Sequence, residues 1–335
     1  MLKRSPSIHL QKLETLHFRV IEKHPNFSLI EKDYRMKRSG YKGEQTLDYY
    51  LSFVPAKNYE ILPDIRLQAN ANKDIYFQID TLLKTTKYNV IFETKNHSGE
   101  LTYNVLTQQF TRMSESGELE VFQDPIQQVR RQELQYKKFL RSVNPSYENV
   151  PIIPFIVFTN PSCHINIIPE GNRLPKNMIK AESVPSKLYE LERLYKQETI
   201  ETKSMRQLTK KVLKNNVPYN PNILEKYHVK EHDLITGVFC LNCINVKMRW
   251  EKNACWKCEN CGSKNKNSFL KAVNDMILLF GNEISNQQFS NFLEIPSRIT
   301  SYRHINNLAC HSIGLSKSRK YHLSLQHPNP TQTRH

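Results

Sequence analysis

The sequence predicts a protein of the α/β (α+β) class, and three observations carry that expectation. Short β-like runs alternate with helical ones over residues 1 to about 165, charged helical segments follow, and five of the seven cysteines fall within 22 residues. The 335 residues suffice for one large or two to three ordinary domains, and an apolar content of 39% allows cores of normal size.

In residues 43–51, Leu47, Tyr50 and Leu51 recur at the i, i+3, i+4 spacing of a helix with one buried face, and Glu44 sits in its first turn. Four strands are expected next, at 59–67, 75–83, 88–95 and 101–110, separated by turn formers such as Ala69-Asn70-Ala71-Asn72 and Asn96-His97-Ser98-Gly99. They read as a meander of antiparallel pairs. Asp124-Pro125 supplies a cap and a first-turn proline for a second helix through Gln128, Gln132 and Gln135 to about Leu140; residues 152–158 then form a buried strand.

Chemistry concentrates in two of these strands. In Asn89-Val90-Ile91-Phe92-Glu93-Thr94-Lys95, the two-residue period puts Glu93 and Lys95 on one face and Phe92 and Thr94 on the other. The run Phe77-Gln78-Ile79-Asp80-Thr81-Leu82-Leu83 holds a single acid in an apolar strand. A hairpin through residues 84–87 brings Asp80 near Glu93, and two such carboxylates repel unless a cation lies between them. The pair suits phosphodiester hydrolysis: carboxylates and a backbone carbonyl hold Mg²⁺, which polarises the phosphate and lowers the pKa of a bound water. Lys95 would orient that water or stabilise the developing charge. Glu44 can complete the metal shell, directly or through water, if its helix packs beside the sheet. A lone Glu-X-Lys is common by chance; its weight comes from the order of parts, an acidic helix, an Asp strand, Glu-X-Lys and a Gln-X-X-X-Gln helix.

The segments Gly43-Glu44, Gln78-Ile79-Asp80, Phe92-Glu93-Thr94-Lys95-Asn96 with Gly99, and Pro125-Ile126-Gln127-Gln128 resemble the nuclease-related domain (NERD) family. That family is a branch of the PD-(D/E)XK, or restriction-endonuclease-like, superfamily, and the resemblance spans about residues 40–142. It implies a restriction-endonuclease-like mixed sheet flanked by helices, Mg²⁺ dependence, and catalytic roles for Asp80, Glu93 and Lys95, with Glu44 and Gln128 as the matching helix residues. Spacing from Pro125 selects Gln128 over Gln127, with Gln132 as a weaker candidate one turn later. Asp64, preceded by Pro63, ranks below Asp80 because Gln78-Ile79-Asp80 is the closer match. His97, next to the Glu93 and Lys95 strand, could contact a phosphate, although a turn histidine is more often merely exposed.

Cys240-Leu241-Asn242-Cys243 and Cys258-Glu259-Asn260-Cys261-Gly262 give two Cys-X2-Cys knuckles, the spacing of a tetrahedral Zn²⁺ site in a zinc ribbon. Cys255 offers an alternative pair with Cys258, but Gly262 directly after Cys261 suits the tight turn of a knuckle. Cys163 and Cys310 read as buried small hydrophobes.

Beyond the ribbon, residues 268–280 have helical spacing, Ser285-Asn286-Gln287-Gln288 matches a capping box, and Pro296-Ser297 precedes a further helix over 298–308. That last helix would bury Ile299, Ile305 and Leu308 and show Arg298, Arg303, His304 and Asn307, types that meet phosphates and base edges. With Lys317, Arg319 and Lys320 in a basic wing, a winged helix-turn-helix is expected. Residues 201–335 hold 20 Lys and Arg against 9 Asp and Glu, most of the chain's net +16, which suits a polyanionic partner.

No apolar run approaches the roughly 20 residues of a membrane helix, and the first 20 residues lack a signal-peptide stretch, so a cytoplasmic protein is expected. The expected organisation is a nuclease-like domain at 1–165, a helical linker at 166–235, a zinc ribbon at 236–266, a helix-turn-helix-like module at 267–325 and a polar tail at 326–335. The expected function is Mg²⁺-dependent nucleic-acid hydrolysis, with DNA favoured over RNA; the rival is a catalytically silent nucleic-acid-binding protein on the same fold.

Overall fold

The computed structural model describes residues 3–55, 59–70, 73–114, 117–244, 246–251, 255–315 and 318–326. The polar tail expected at 326–335 lies outside the described residues apart from Gln326. Two compact units emerge, one of residues 1–7 and 36–219, the other of residues 8–35 and 220–335. Helix α1 (Ile8–Arg19) lies in unit 2, and α2 (Phe27–Leu51) enters unit 1 at Met36.

Unit 1 is organised by a five-stranded sheet of order β1-β2-β3-β7-β9, with β1 (Glu60–Asn70), β2 (Lys73–Lys84), β3 (Asn89–Lys95), β7 (Ile152–Phe158) and β9 (Met178–Lys180). The first three strands are antiparallel, whereas β7 runs parallel to β3 and β9 parallel to β7. Strand alternation explains the layering. Val90 and Phe92 pack with Leu47 and Leu51 of α2 and with Val184 and Leu188 of α4 (Val184–Leu194). Ile91, pointing the other way, packs with Tyr136 and Leu140 of α3 (Pro125–Val143) and with Leu208 and Val212 of α5 (Thr202–Lys214). Helices therefore cover both faces, and the central strand is buried from Asn89 to Glu93.

The antiparallel meander holds for β1–β3 and no further. The run expected as one strand at 101–110 is two, β4 (Gly99–Asn104) and β5 (Gln109–Met113), because the Asn104 carboxamide accepts the Leu106 and Thr107 N–H groups (both 3.0 Å) and turns the chain. These strands join β6 (Leu119–Phe122) and β8 (Cys163–Ile168) in a second sheet of order β6-β5-β4-β8. Residues 166–219, placed by sequence in a linker, instead supply β9, α4 and α5 to the core, since Met205, Leu208 and Val212 form an apolar stripe on α5.

Unit 2 takes residues 8–35 because α1 is anchored there by Arg19, 1% exposed. Its Nε and Nη2 reach Asp275 Oδ2 at 3.0 and 2.7 Å, and Nη1 donates to the Gly237 carbonyl at 2.7 Å. The rest comprises α6 (Ile223–Lys226), the hairpin β10 (Met248–Glu251) and β11 (Cys255–Cys258), and the order α7 (Lys266–Phe280), β12 (Glu283–Ser285), α8 (Asn286–Leu293), α9 (Arg298–Leu308), β13 (Ala309–Ile313), β14 (Lys320–Leu323). The last three strands form a sheet of order β12-β14-β13. Ser285 and Gln288 make the expected capping box, and Ser297 caps α9. Cys163 is buried, whereas Cys310 is exposed, its Sγ 3.3 Å from Ser324 Oγ.

Gly43 lets α2 approach the ends of β3 and β7: a Cβ there would lie 2.7 Å from both Asn96 Cβ and Thr159 Oγ1. Gly43→Ala is expected to destabilise unit 1 by about 1–3 kcal/mol, measured as a lower urea midpoint; an unchanged midpoint would show that α2 can shift without cost.

Candidate active site and cysteine cluster

The buried stretch of β3 ends on Glu93, 5% exposed, whose carboxylate is held on three sides. Its Oε1 accepts from Lys95 Nζ (2.8 Å) and Gln128 Nε2 (2.6 Å), and its Oε2 from Gln132 Nε2 (2.8 Å). Gln128 also accepts from Lys95 Nζ at 2.9 Å, which closes a Glu93, Lys95, Gln128 triangle. The α-helical period places Gln128 and Gln132 one turn apart on the face of α3 toward the sheet; Gln127 turns away to Gln108. Asp124 caps this helix by accepting the Ile126 N–H, so the aim of Gln128 is fixed at the first turn.

The β2–β3 ladder runs to Thr81 opposite Phe92, which brings Asp80 beside Glu93. There the Asp80 side chain takes over as acceptor, its Oδ2 receiving the Thr94 N–H (2.9 Å) and Oγ1–H (2.8 Å). Burial and then the Asp80 charge hold the Glu93 carboxyl above its ordinary range, against the pull of Lys95. Glu44 on α2 feels the same pair of effects: burial and Asp80 push it up to about 8, opposed by Arg4. Asp64 also belongs to this neighbourhood. It lies across the β1–β2 ladder from Asp80, between the pairs Pro63↔Thr81 and Ile65↔Ile79, with φ of 51° and an Oδ1 that accepts from Gln78 Nε2 at 2.6 Å. Burial raises its carboxyl as well, with Lys37 pulling down and Asp80 pushing up.

Carboxylates that raise one another are relieved when a positive charge enters, and oxygen donors of this kind could hold a hard cation. Sequence reasoning ranked Gln132 low and missed Arg4 altogether. Nothing in the one-dimensional pattern ties residue 4 to residues 44, 48, 80 and 81, where its guanidinium donates. His97 is neutral packing, its ring 4.4 Å from that of Phe122 and its pKa down to about 4 through burial, then Lys95 and Arg112.

Residues 39–159 match the family model of the nuclease-related domain. The chain carries a NERD domain. The family is a branch of the PD-(D/E)XK superfamily, and the match suggests a nuclease-related function for that stretch of the chain. Comparison with curated proteins and with solved structures returned no match.

Outside that stretch, four cysteines form a potential metal centre. The sulfur atoms of Cys240, Cys243, Cys258 and Cys261 lie within 4.8 Å of one another, with Cys240–Cys261 at 3.7 Å and Cys258–Cys243 at 3.8 Å. Two thiolates bound tetrahedrally to one zinc at ~2.3 Å are ~3.8 Å apart, so the cluster fits Zn²⁺. Gly262, at φ 69°, donates its N–H to the Cys258 carbonyl at 2.8 Å and makes the tight knuckle.

Of the C-terminal residues selected from sequence, Arg298, Arg303 and Asn307 are exposed on α9. Ile299, expected in the core, is 67% exposed, and Ser301 is buried with Ile305 instead, because α9 turns that face to Asn286 through the Ser301 hydroxyl. His304 packs among Trp250, Trp256 and Phe269 rather than standing free, and burial lowers its pKa. Lys320 lies 3.8 Å from Glu283 in an exposed pair, and Lys317 falls outside the described residues. Arg319 and Arg298 border a cleft of about 570 Å³ with Ile299, Tyr302 and Tyr321. Among the described residues no helix is long and apolar enough to cross a membrane.

The purified chain is expected to carry one zinc per molecule by atomic absorption; Cys258→Ser and Cys243→Ser should lose it, while Cys255→Ser should retain it. Zinc loss on Cys255→Ser would move the second knuckle.

Proposed function

We propose that the NERD domain hydrolyses phosphodiester bonds in nucleic acid, with DNA favoured over RNA. The observation that carries this reading is the Glu93 carboxylate, buried beside Asp80 and tied at once to Lys95, Gln128 and Gln132. Asp80 and Glu93 would hold a Mg²⁺ ion, with Glu44 completing its shell, and the ion when bound would supply phosphate polarisation and a more acidic water.

The protein's own groups divide the remaining work. Lys95 Nζ, fixed between Glu93 Oε1 and Gln128 Oε1, keeps its third N–H direction for the substrate and offsets charge that develops on the phosphate. Gln128 and Gln132 carry no net charge, so they orient Glu93 without neutralising it. Thr94 occupies one Asp80 oxygen, while Oδ1 accepts no hydrogen bond among the described residues and is the atom available to a cation.

The C-terminal module is proposed as the nucleic-acid reader. Its element order, helix, strand, two helices and two strands, supports a winged helix-turn-helix, and Arg298, Arg303 and Asn307 on α9 together with Arg319 supply its basic surface. A four-cysteine zinc ribbon would stabilise the segment before it.

Purified protein is expected to cleave single-stranded DNA, duplex DNA or RNA only with Mg²⁺, and Glu93→Gln and Lys95→Ala should each lower the rate on the order of a hundredfold or more while melting normally. Binding without cleavage on all three substrates would select the silent fold. In the same preparations, Arg298→Ala and Arg319→Ala should weaken nucleic-acid binding and flatten its dependence on salt, measured by fluorescence anisotropy; unchanged slopes would remove α9 from the interface.

A further inference from the structure

Arg4 is 8% exposed and sits in the carboxylate site rather than in an apolar cluster. Its Nε and Nη2 grip the Asp48 carboxylate at 2.7 and 3.1 Å, a bidentate contact that fixes the plane of the guanidinium. The remaining N–H directions are then set. Nη1 donates to Glu44 Oε2 at 2.6 Å and to the Asp80 carbonyl at 3.1 Å, and Nη2 donates to Thr81 Oγ1 at 2.6 Å.

These partners come from two elements. Glu44 and Asp48 are one turn apart on α2, so both project from the same face. Asp80 and Thr81 are consecutive on β2, where pairing with β3 ends at Thr81 and the ladder to β1 passes over Asp80, from Thr81 to Ile79. One side chain thus joins the helix that bears Glu44 to the strand that bears Asp80.

That junction opposes a specific force. Glu44 and Asp80 repel each other, and a glutamate side chain has three torsions by which it can swing away. A lysine at residue 4 would keep the charge but could not engage Asp48, Glu44 and the Asp80 carbonyl together, since a single ammonium lacks the planar fork.

We propose that Arg4 is a positioning residue of the NERD site: it holds Glu44 beside Asp80 and thereby sets the carboxylate geometry on which divalent-cation binding depends. This inference rests on the metal-dependent reading given above. It acts through Glu44, not through contact with substrate.

The test is calorimetric titration of the full chain with Mn²⁺, after saturation with zinc, for wild type, Arg4→Lys, Arg4→Ala, Glu44→Gln and the Arg4→Lys, Glu44→Gln double variant, each with its melting curve. Arg4→Lys is expected to weaken Mn²⁺ binding on the order of tenfold or more, and to cost nothing further once Glu44 is Gln. Wild-type affinity in Arg4→Lys would overturn the proposal, as would a lower melting temperature alone. Tighter binding in Arg4→Ala would make Arg4 a competitor for the cation, and an undiminished effect in the Glu44→Gln background would detach it from Glu44; either outcome also overturns it. Absence of Mn²⁺ binding by wild type would instead sink the metal-site reading, and this inference with it.

Discussion

The arrangement of unit 1 depends on one gradient of burial along β3. From Asn89 to Glu93 the strand is buried, with Val90, Ile91 and Phe92 packed among apolar side chains on its two faces, and at Thr94 and Lys95 it emerges. A strand that is covered on both faces can end in charge only where the cover ends. The β3 terminus is therefore where Glu93 and Lys95 belong, and where α2, α3 and β2 bring their own polar residues. Loss of that packing would leave the hydrogen-bonding partners of this edge without a common frame.

Concentrating Glu44, Asp64, Asp80 and Glu93 at one edge is unfavourable by itself. Burial disfavours each ionised carboxyl and Asp80 disfavours its neighbours, as the raised pKa values of Glu44, Asp64 and Glu93 record. The protein offsets this with Lys95 on one flank and Arg4 on the other, and in the proposed reading a cation would offset the rest. Local cost of this kind is what a functional site carries and a structural ion pair avoids; Arg19 with Asp275 in unit 2 is such a structural pair, its guanidinium satisfied by one carboxylate and two carbonyls.

The cysteine cluster answers a different problem. Its hairpin strands are four residues each, with Trp250 opposite Trp256 as the main cross-strand pair. Strands so short bury too little to hold a fold alone, and a metal held by the four cysteines would supply the missing cross-link. The stacked rings of Trp256 and Phe269, with His304 tilted against both, continue that support, which explains why a histidine expected on a binding surface serves packing.

Much of this was legible in one dimension. Alternation in residues 89–95 located β3 and put Glu93 with Lys95, the Asp124-Pro125 cap located α3, the Cys-X2-Cys spacing chose four cysteines, and the capping box at Ser285 started α8, because each of these is a local pattern read over one or two turns. What the sequence did not reveal are relations between distant segments: the parallel pairing of β3 with β7, the recruitment of residues 166–219 into the core, the burial of Ser301 in place of Ile299, and Gln132 beside Glu93. Arg4 is the extreme case. Its partners lie 40 to 77 positions away and share no periodicity with it, so local propensity carries no trace of the contact; only the tertiary packing of α2 against β2, which creates a buried carboxylate needing a planar cation, decides where that side chain goes.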